Sequence, residues 1–176
     1  MKRLIALALV LALAPAAHAG GIGVGAFGGM SYPVLQDDTG HGKLYGFRVP
    51  VNVVPMVSVE PFYASTNLAD KETSIAGLTY TRQGFDETAW GANVLLATGG
   101  PVSFYPLVGI GRTRLQRDQY DRSFTTYSGG VGLSLSPAPK VSLQVRGELQ
   151  AVVDGSTTRK FGNATIGLTY ALFSIP

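Results

Sequence analysis

Several sets of residues in this chain have types and spacings that could do chemistry. Gly23-Val-Gly25-Ala-Phe-Gly28 spells G-x-G-x-x-G, a spacing that cradles a pyrophosphate at a helix N-terminus. His41 follows Asp37 and Asp38 and could serve a Ser/His/Asp site or a metal. The segment RTRLQRDQYDR (112–122) holds Arg112, Arg114, Arg117 and Arg122 with Asp118 and Asp121, and arginine suits bidentate phosphate recognition. Arg48, Glu60, Arg146 and Glu148 are isolated charges among small and apolar neighbours, where a buried ion network or an ion path would need them.

Each possibility depends on the element that carries it. A nucleotide cradle needs a buried strand before the glycines and a helix after them. Before them stands MKRLIALALVLALAPAAHA, with a cationic start, a short apolar run, Pro15 and the small-x-small ending Ala17-His18-Ala19. This is the pattern of a secretory signal peptide over residues 1–19 with cleavage after Ala19. Its apolar run is too short for a membrane helix, which needs roughly 20 residues. After the glycines the parity alternates: Ile22, Val24, Ala26, Met30 and Tyr32 oppose Gly23, Gly25, Phe27, Gly29 and Ser31. A period of two predicts a strand, so both flanks fail the nucleotide test.

Removal of the leader leaves 157 residues, one domain (20–176), with 12 basic and 11 acidic side chains. There is no basic cluster for nucleic acid, and with no cysteine there is no thiol or disulfide chemistry. The alternation continues to the C-terminus. It predicts strands at about 22–32, 44–53, 57–65, 86–97, 102–113, 124–135, 141–153 and 161–173. One face is apolar and aromatic. The other carries Gly, Ser, Thr, Asn and Gln together with Arg48, Glu60, Arg146 and Glu148. A solvent face would ordinarily be rich in Lys and Glu. The small, polar face instead reads as the lumen of a narrow barrel whose apolar face meets lipid.

The links alternate in length. Residues 54–56, 98–100 and 136–140 are short, whereas 33–43, 66–85, 114–123 and 154–160 are longer. Short turns at one end and long loops at the other mark a transmembrane β-barrel with periplasmic termini. Tyr32, Tyr45, Tyr63, Trp90 and Tyr127 would form the outer aromatic girdle, with Phe104 and Tyr170 near the periplasmic rim. The fold class is therefore all-β: an eight-stranded antiparallel up-and-down transmembrane barrel. Pro50, Pro61 and Pro106 fall inside strands and remove ladder donors, which local bulges would absorb.

The chain resembles the small eight-stranded outer-membrane barrels, the OmpA/OmpX-type and opacity-protein group. The resemblance rests on the signal peptide, the Gly-rich first strand, FYPLVGIG (104–111), VSLQVRGEL (141–149) and ATIGLTYAL (164–172). It implies an outer-membrane location and insertion by the barrel-assembly machinery. Members often end in a terminal aromatic, whereas this chain ends Ser174-Ile175-Pro176.

Within a barrel, His41 reads as a solvated loop tip, and Asn163-Ala-Thr165 as lumen-facing strand rather than a glycosylation sequon. No catalytic, cofactor or metal residues are assigned. Arg48, Glu60, Arg146 and Glu148 form either a neutral plug or a gate, and an eight-stranded lumen leaves room only for side chains. The Arg112–Arg122 loop either contacts lipopolysaccharide phosphates or pairs locally. The expectation is a non-enzymatic, monomeric outer-membrane barrel with a structural or surface-interaction role. It has outer-membrane lipid and lipopolysaccharide as partners. The alternatives are a narrow porin, an outer-leaflet lipid-modifying enzyme and a secreted soluble lipid-binding barrel.

Overall fold

The computed structural model describes residues 21–34, 40–75, 78–98, 100–117, 119–155 and 157–174. The predicted leader, Asp37, Asp38, Asp118, Ile175 and Pro176 lie outside the described residues. The described elements are all strands: β1 (Gly21–Val34), β2 (Gly42–Arg48), β3 (Val51–Val54), β4 (Val57–Leu68), β5 (Lys71–Ile75), β6 (Leu78–Arg82), β7 (Asp86–Leu96), β8 (Val102–Arg117), β9 (Tyr120–Ala138), β10 (Val141–Asp154) and β11 (Thr157–Ser174).

β2 and β3 are two halves of one stave, both pairing with β1 on one side and β4 on the other. With that stave counted once, the sheet runs β1, β2/β3, β4, β7, β8, β9, β10, β11 and closes through β1 against β11, an antiparallel ring of eight. Closure satisfies every wall strand and removes the exposed edges that lipid cannot tolerate.

The prolines act differently from the expectation. The bulges do not sit at Pro61 or Pro106, which keep register with Ala92 and Val131. Pro50 instead divides the second stave. The carbonyls of Pro50 and Pro61 still accept, from the amides of Gly23 and Val49, each at 2.9 Å. Only the missing donors are lost, so the wall stays closed.

The predicted long links are also corrected. β8 continues to Arg117 and pairs with β9 from Tyr120, so most of 114–123 is strand. β10 and β11 likewise pair out to Asp154 and Thr157, with Gly155 at positive φ in the turn between them. Residues 66–85 contain a separate hairpin, β5–β6. A crossing needs about 9–11 tilted residues, so the far ends of β8 and β9 project beyond the bilayer. There the outward row meets water in place of lipid and turns polar, while Leu115 and Phe124 face inward and are buried, so the apolar-outside alternation that betrays a strand is lost.

Inside the membrane span the two faces separate as predicted. Val108, Leu133, Leu143 and Leu168 are exposed on the outside, as are the aromatics of both predicted girdles. The lumen is less uniformly polar than expected. Leu44, Ala64 and Ala89 pack there with Phe27 and Phe62. Leu95 and Leu107 pack with Tyr105 nearer the short-turn end. Gly132 faces the Tyr105 ring so closely that a Cβ would collide with it, which is why a glycine stands in that wall.

Candidate functional site: the barrel lumen

The lumen is built in layers. At the short-turn end a vestibule of about 340 Å3 leads inward to Glu60, Tyr105 and Gln144. Above it lies a charged layer contributed by β2 (Arg48), β4 (Glu60) and β10 (Arg146, Glu148). Strand alternation alone brings these inward, because each shares parity with the small residues of its stave.

β4 and β10 stand on opposite walls, yet their side chains meet. Arg146 Nη1 donates to Glu60 Oε1 at 2.8 Å and Nη2 to Oε2 at 3.2 Å, a bidentate grip across the barrel. Nη1 also reaches Glu148 Oε1 at 3.1 Å. Arg146 Nε lies 3.5 Å from the Tyr105 hydroxyl, which donates to Gln144 Oε1 at 3.2 Å. Glu60 is 0% exposed and Arg146 5%, so this pair is screened from water and must be matched to be tolerated.

Arg48 is placed differently. It is 1% exposed, its Nε is 3.8 Å from Glu60 Oε2, and its guanidinium lies over the Phe27 ring at 5.3 Å. Its Nε and Nη2 have no hydrogen-bond partner among the described residues. Gly25 and Gly167 leave the room it occupies: a Cβ at Gly25 would stand 3.3 Å from the Arg48 stem, and one at Gly167 would collide with Nη2. The glycines of the G-x-G-x-x-G run are thus wall positions in β1, and Gly25 accommodates an arginine.

Beyond the charged layer the free volume falls to about 40 Å3. That is room for roughly three waters. Gln150 Nε2 donates to Glu87 Oε1 at 2.7 Å and to Thr113 Oγ1 at 3.2 Å, and Asn163 Nδ2 donates to Gln150 Oε1 at 2.8 Å. Glu87 is a buried lumen carboxyl that the sequence-based charge set omits. Its inward parity was legible, but its nearness to the predicted strand end hid its burial. Farther out, Leu68, Leu115, Phe124, Val152 and Phe161 close into an apolar cluster, backed by Phe85 and Tyr120.

The four loop arginines do not form one patch. Arg112 lies in the row outside Ile110, paired in register with Trp90. Arg114 grips Asp121 with two hydrogen bonds, Nε to Oδ1 at 2.6 Å and Nη2 to Oδ2. Those donated bonds hold the Asp121 carboxyl, at the projecting hairpin tip, below the usual aspartate range. Arg117 donates to Gln83 and lies over Phe85 at 5.1 Å; Arg122 lies over Tyr120 at 5.8 Å. Arg159, which the sequence reading did not single out, stands 5.1 Å from the same Phe85 ring. His41 is exposed and stacks on Tyr32 at 6.0 Å.

Comparison with known proteins agrees with this architecture. Neisserial surface protein A shares the fold at a TM-score of 0.62 and 13% identity, over 86% of this chain and 96% of that one. A major outer membrane protein from Thermus thermophilus gives 0.60 and 13%, over 88% and 100%. OprG from Pseudomonas aeruginosa gives 0.54 and 12%, over 89% and 97%. No curated protein sequence matches the chain significantly. The family model for the outer membrane protein beta-barrel domain matches residues 4–171. With the closed ring and lipid-facing rows described above, the chain belongs to the outer membrane protein beta-barrel domain family.

Proposed function

We propose that this protein is a closed-lumen, non-enzymatic outer-membrane barrel that acts through its extracellular hairpins, as an envelope component and a surface-interaction protein. The observation that carries the reading is the bidentate Arg146–Glu60 pair spanning the lumen at 2.8 and 3.2 Å. A charge-assisted fork of this kind, buried and shared with Glu148, holds the centre of the barrel shut. The apolar cluster of Leu68, Leu115, Phe124, Val152 and Phe161 adds a second closure toward the outer end.

Lipopolysaccharide is the partner proposed for the outer rim. Arg112, beside Trp90, and the exposed Lys43 and Lys160 put cations next to the level where headgroup phosphates lie. Arg114, Arg117 and Arg122 contribute less to that contact, since Asp121, Gln83 and the rings of Phe85 and Tyr120 engage them. The barrel functions as a monomer, delivered by a cleaved leader and inserted by the barrel-assembly machinery. Planar-bilayer recording tests the closed-lumen reading: the purified protein is expected to give no steady open level. A stable, reproducible conductance would favour the narrow porin.

A further inference from the structure

The arginines at the projecting end of the barrel fall into two rows. Arg112 and Arg114 keep the outward parity of β8. Arg117 shares the inward parity of Leu115, Arg122 that of Phe124, and Arg159 that of Phe161, and those three apolar side chains are buried in the outer cluster. Three inward arginines therefore stand over the cluster that closes the extracellular end. Two rings join them. Arg117 and Arg159 each lie 5.1 Å from the centre of the Phe85 ring, Phe85 meets Tyr120 edge-on at 6.2 Å, and Arg122 lies over Tyr120 at 5.8 Å. A ring held against a guanidinium restrains it and leaves its N–H edge free for a hydrogen-bond acceptor.

The carboxylates of this end are engaged elsewhere. Asp121 accepts both hydrogen bonds of Arg114, Asp86 accepts from Asn67 Nδ2 at 2.6 Å, and Asp70 accepts from the Gly84 amide at 2.7 Å. Asp154 has the inward parity of Val152 and pairs with no cation among the described residues. Arg117, Arg122 and Arg159 likewise make no ion pair among the described residues, and only Arg117 donates a hydrogen bond, to Gln83. Positive charge and unmatched N–H donors are thus gathered at the mouth. The cluster beneath is at most 9% exposed and both rings are covered by arginines, so the mouth has no apolar pocket for the anchor side chain that a protein partner buries. The inward parity also turns these three side chains away from the lipid headgroups outside the wall.

We propose that the extracellular mouth binds an acidic polysaccharide, whose successive carboxylate or sulfate groups are taken by Arg117, Arg122 and Arg159. The proposal rests on the surface-interaction reading above and names the class of partner. A guanidinium fork accepts two oxygens of one such group, and three separate forks suit a hydrophilic chain of repeated charges.

The test uses the full-length mature barrel in phosphatidylcholine nanodiscs, which carry no net charge, and reads binding by biolayer interferometry. Dextran sulfate and polygalacturonate are the sulfate and carboxylate probes, and uncharged dextran is the control. Saturable binding of an acidic probe is expected, weakening as sodium chloride is raised, with none to dextran. Arg117→Gln, Arg122→Gln and Arg159→Gln are each expected to weaken it about three- to fivefold while keeping the gel migration of the folded barrel. Arg114→Gln removes the same charge from the outward row, where Asp121 already holds the guanidinium, and is expected to change binding less than about twofold. Failure of both acidic probes to bind, or an equal loss in Arg114→Gln, would overturn the proposal. Binding unchanged in all three inward variants would put the contact on another extracellular surface, which leaves the surface-interaction reading standing and overturns this one.

Discussion

Glu60 is where one side chain decides most. It is fully buried, and both carboxylate oxygens accept from Arg146. Truncating one member of a buried pair strands the other, so Glu60→Ala should cost about 3–5 kcal/mol of barrel stability. Removing Glu60 and Arg146 together should cost less than the sum of the single changes, with a coupling of roughly 0.5–3 kcal/mol. The same cycle with Arg48 should show weaker coupling, because Arg48 Nε lies 3.8 Å away. Urea unfolding in phospholipid measures all three, and strict additivity for Glu60 with Arg146 would mean that the pair does not act as a plug. Parity alone made the inward direction of these four charges legible. The choice of partner was not: whether Glu60 meets Arg48 or Arg146 depends on how far each guanidinium reaches across the lumen, and alternation carries no such information.

At the scale of the strands, the outward rows carry the membrane. Val108, Leu133, Leu143 and Leu168 are exposed on β8, β9, β10 and β11, and Leu143 and Leu168 are register partners. Replacing any of them by Arg near mid-bilayer should destabilise the barrel by about 2–4 kcal/mol. A near-neutral effect at all four, measured by the same unfolding assay, would mean that these rows do not face lipid. The strands could be read in the sequence wherever one side meets lipid and the other the lumen, because that contrast writes a period of two. They could not be read at the projecting ends of β8 and β9, where Gln116 and Arg117 pair with Asp121 and Tyr120 and the outward row meets water in place of lipid. The apolar cluster around Leu115 and Phe124 was missed for a related reason. Its members come from five different staves, and Leu115, Phe124 and Phe161 each look like a single apolar residue in a polar segment.

For the molecule as a whole, the family assignment and the closed ring place the protein in the outer membrane. Mature protein should fractionate with that membrane and migrate faster on gels before heating than after. Recovery in the soluble periplasmic fraction would contradict a lipid-facing exterior. With the Arg146–Glu60 pair closing its centre, the proposed lumen is open toward one side only. The chain has no cysteine, so single cysteines can report on it cleanly. Ser134 lines the vestibule, whereas Thr113, 0% exposed, lies between the charged layer and the apolar cluster. In oriented proteoliposomes treated with a membrane-impermeant maleimide, Ser134→Cys should label from the periplasmic face alone, and Thr113→Cys should stay protected from both faces. Rapid labelling of Thr113→Cys, or labelling of Ser134→Cys from the extracellular face, would show a continuous passage through the barrel and contradict the account.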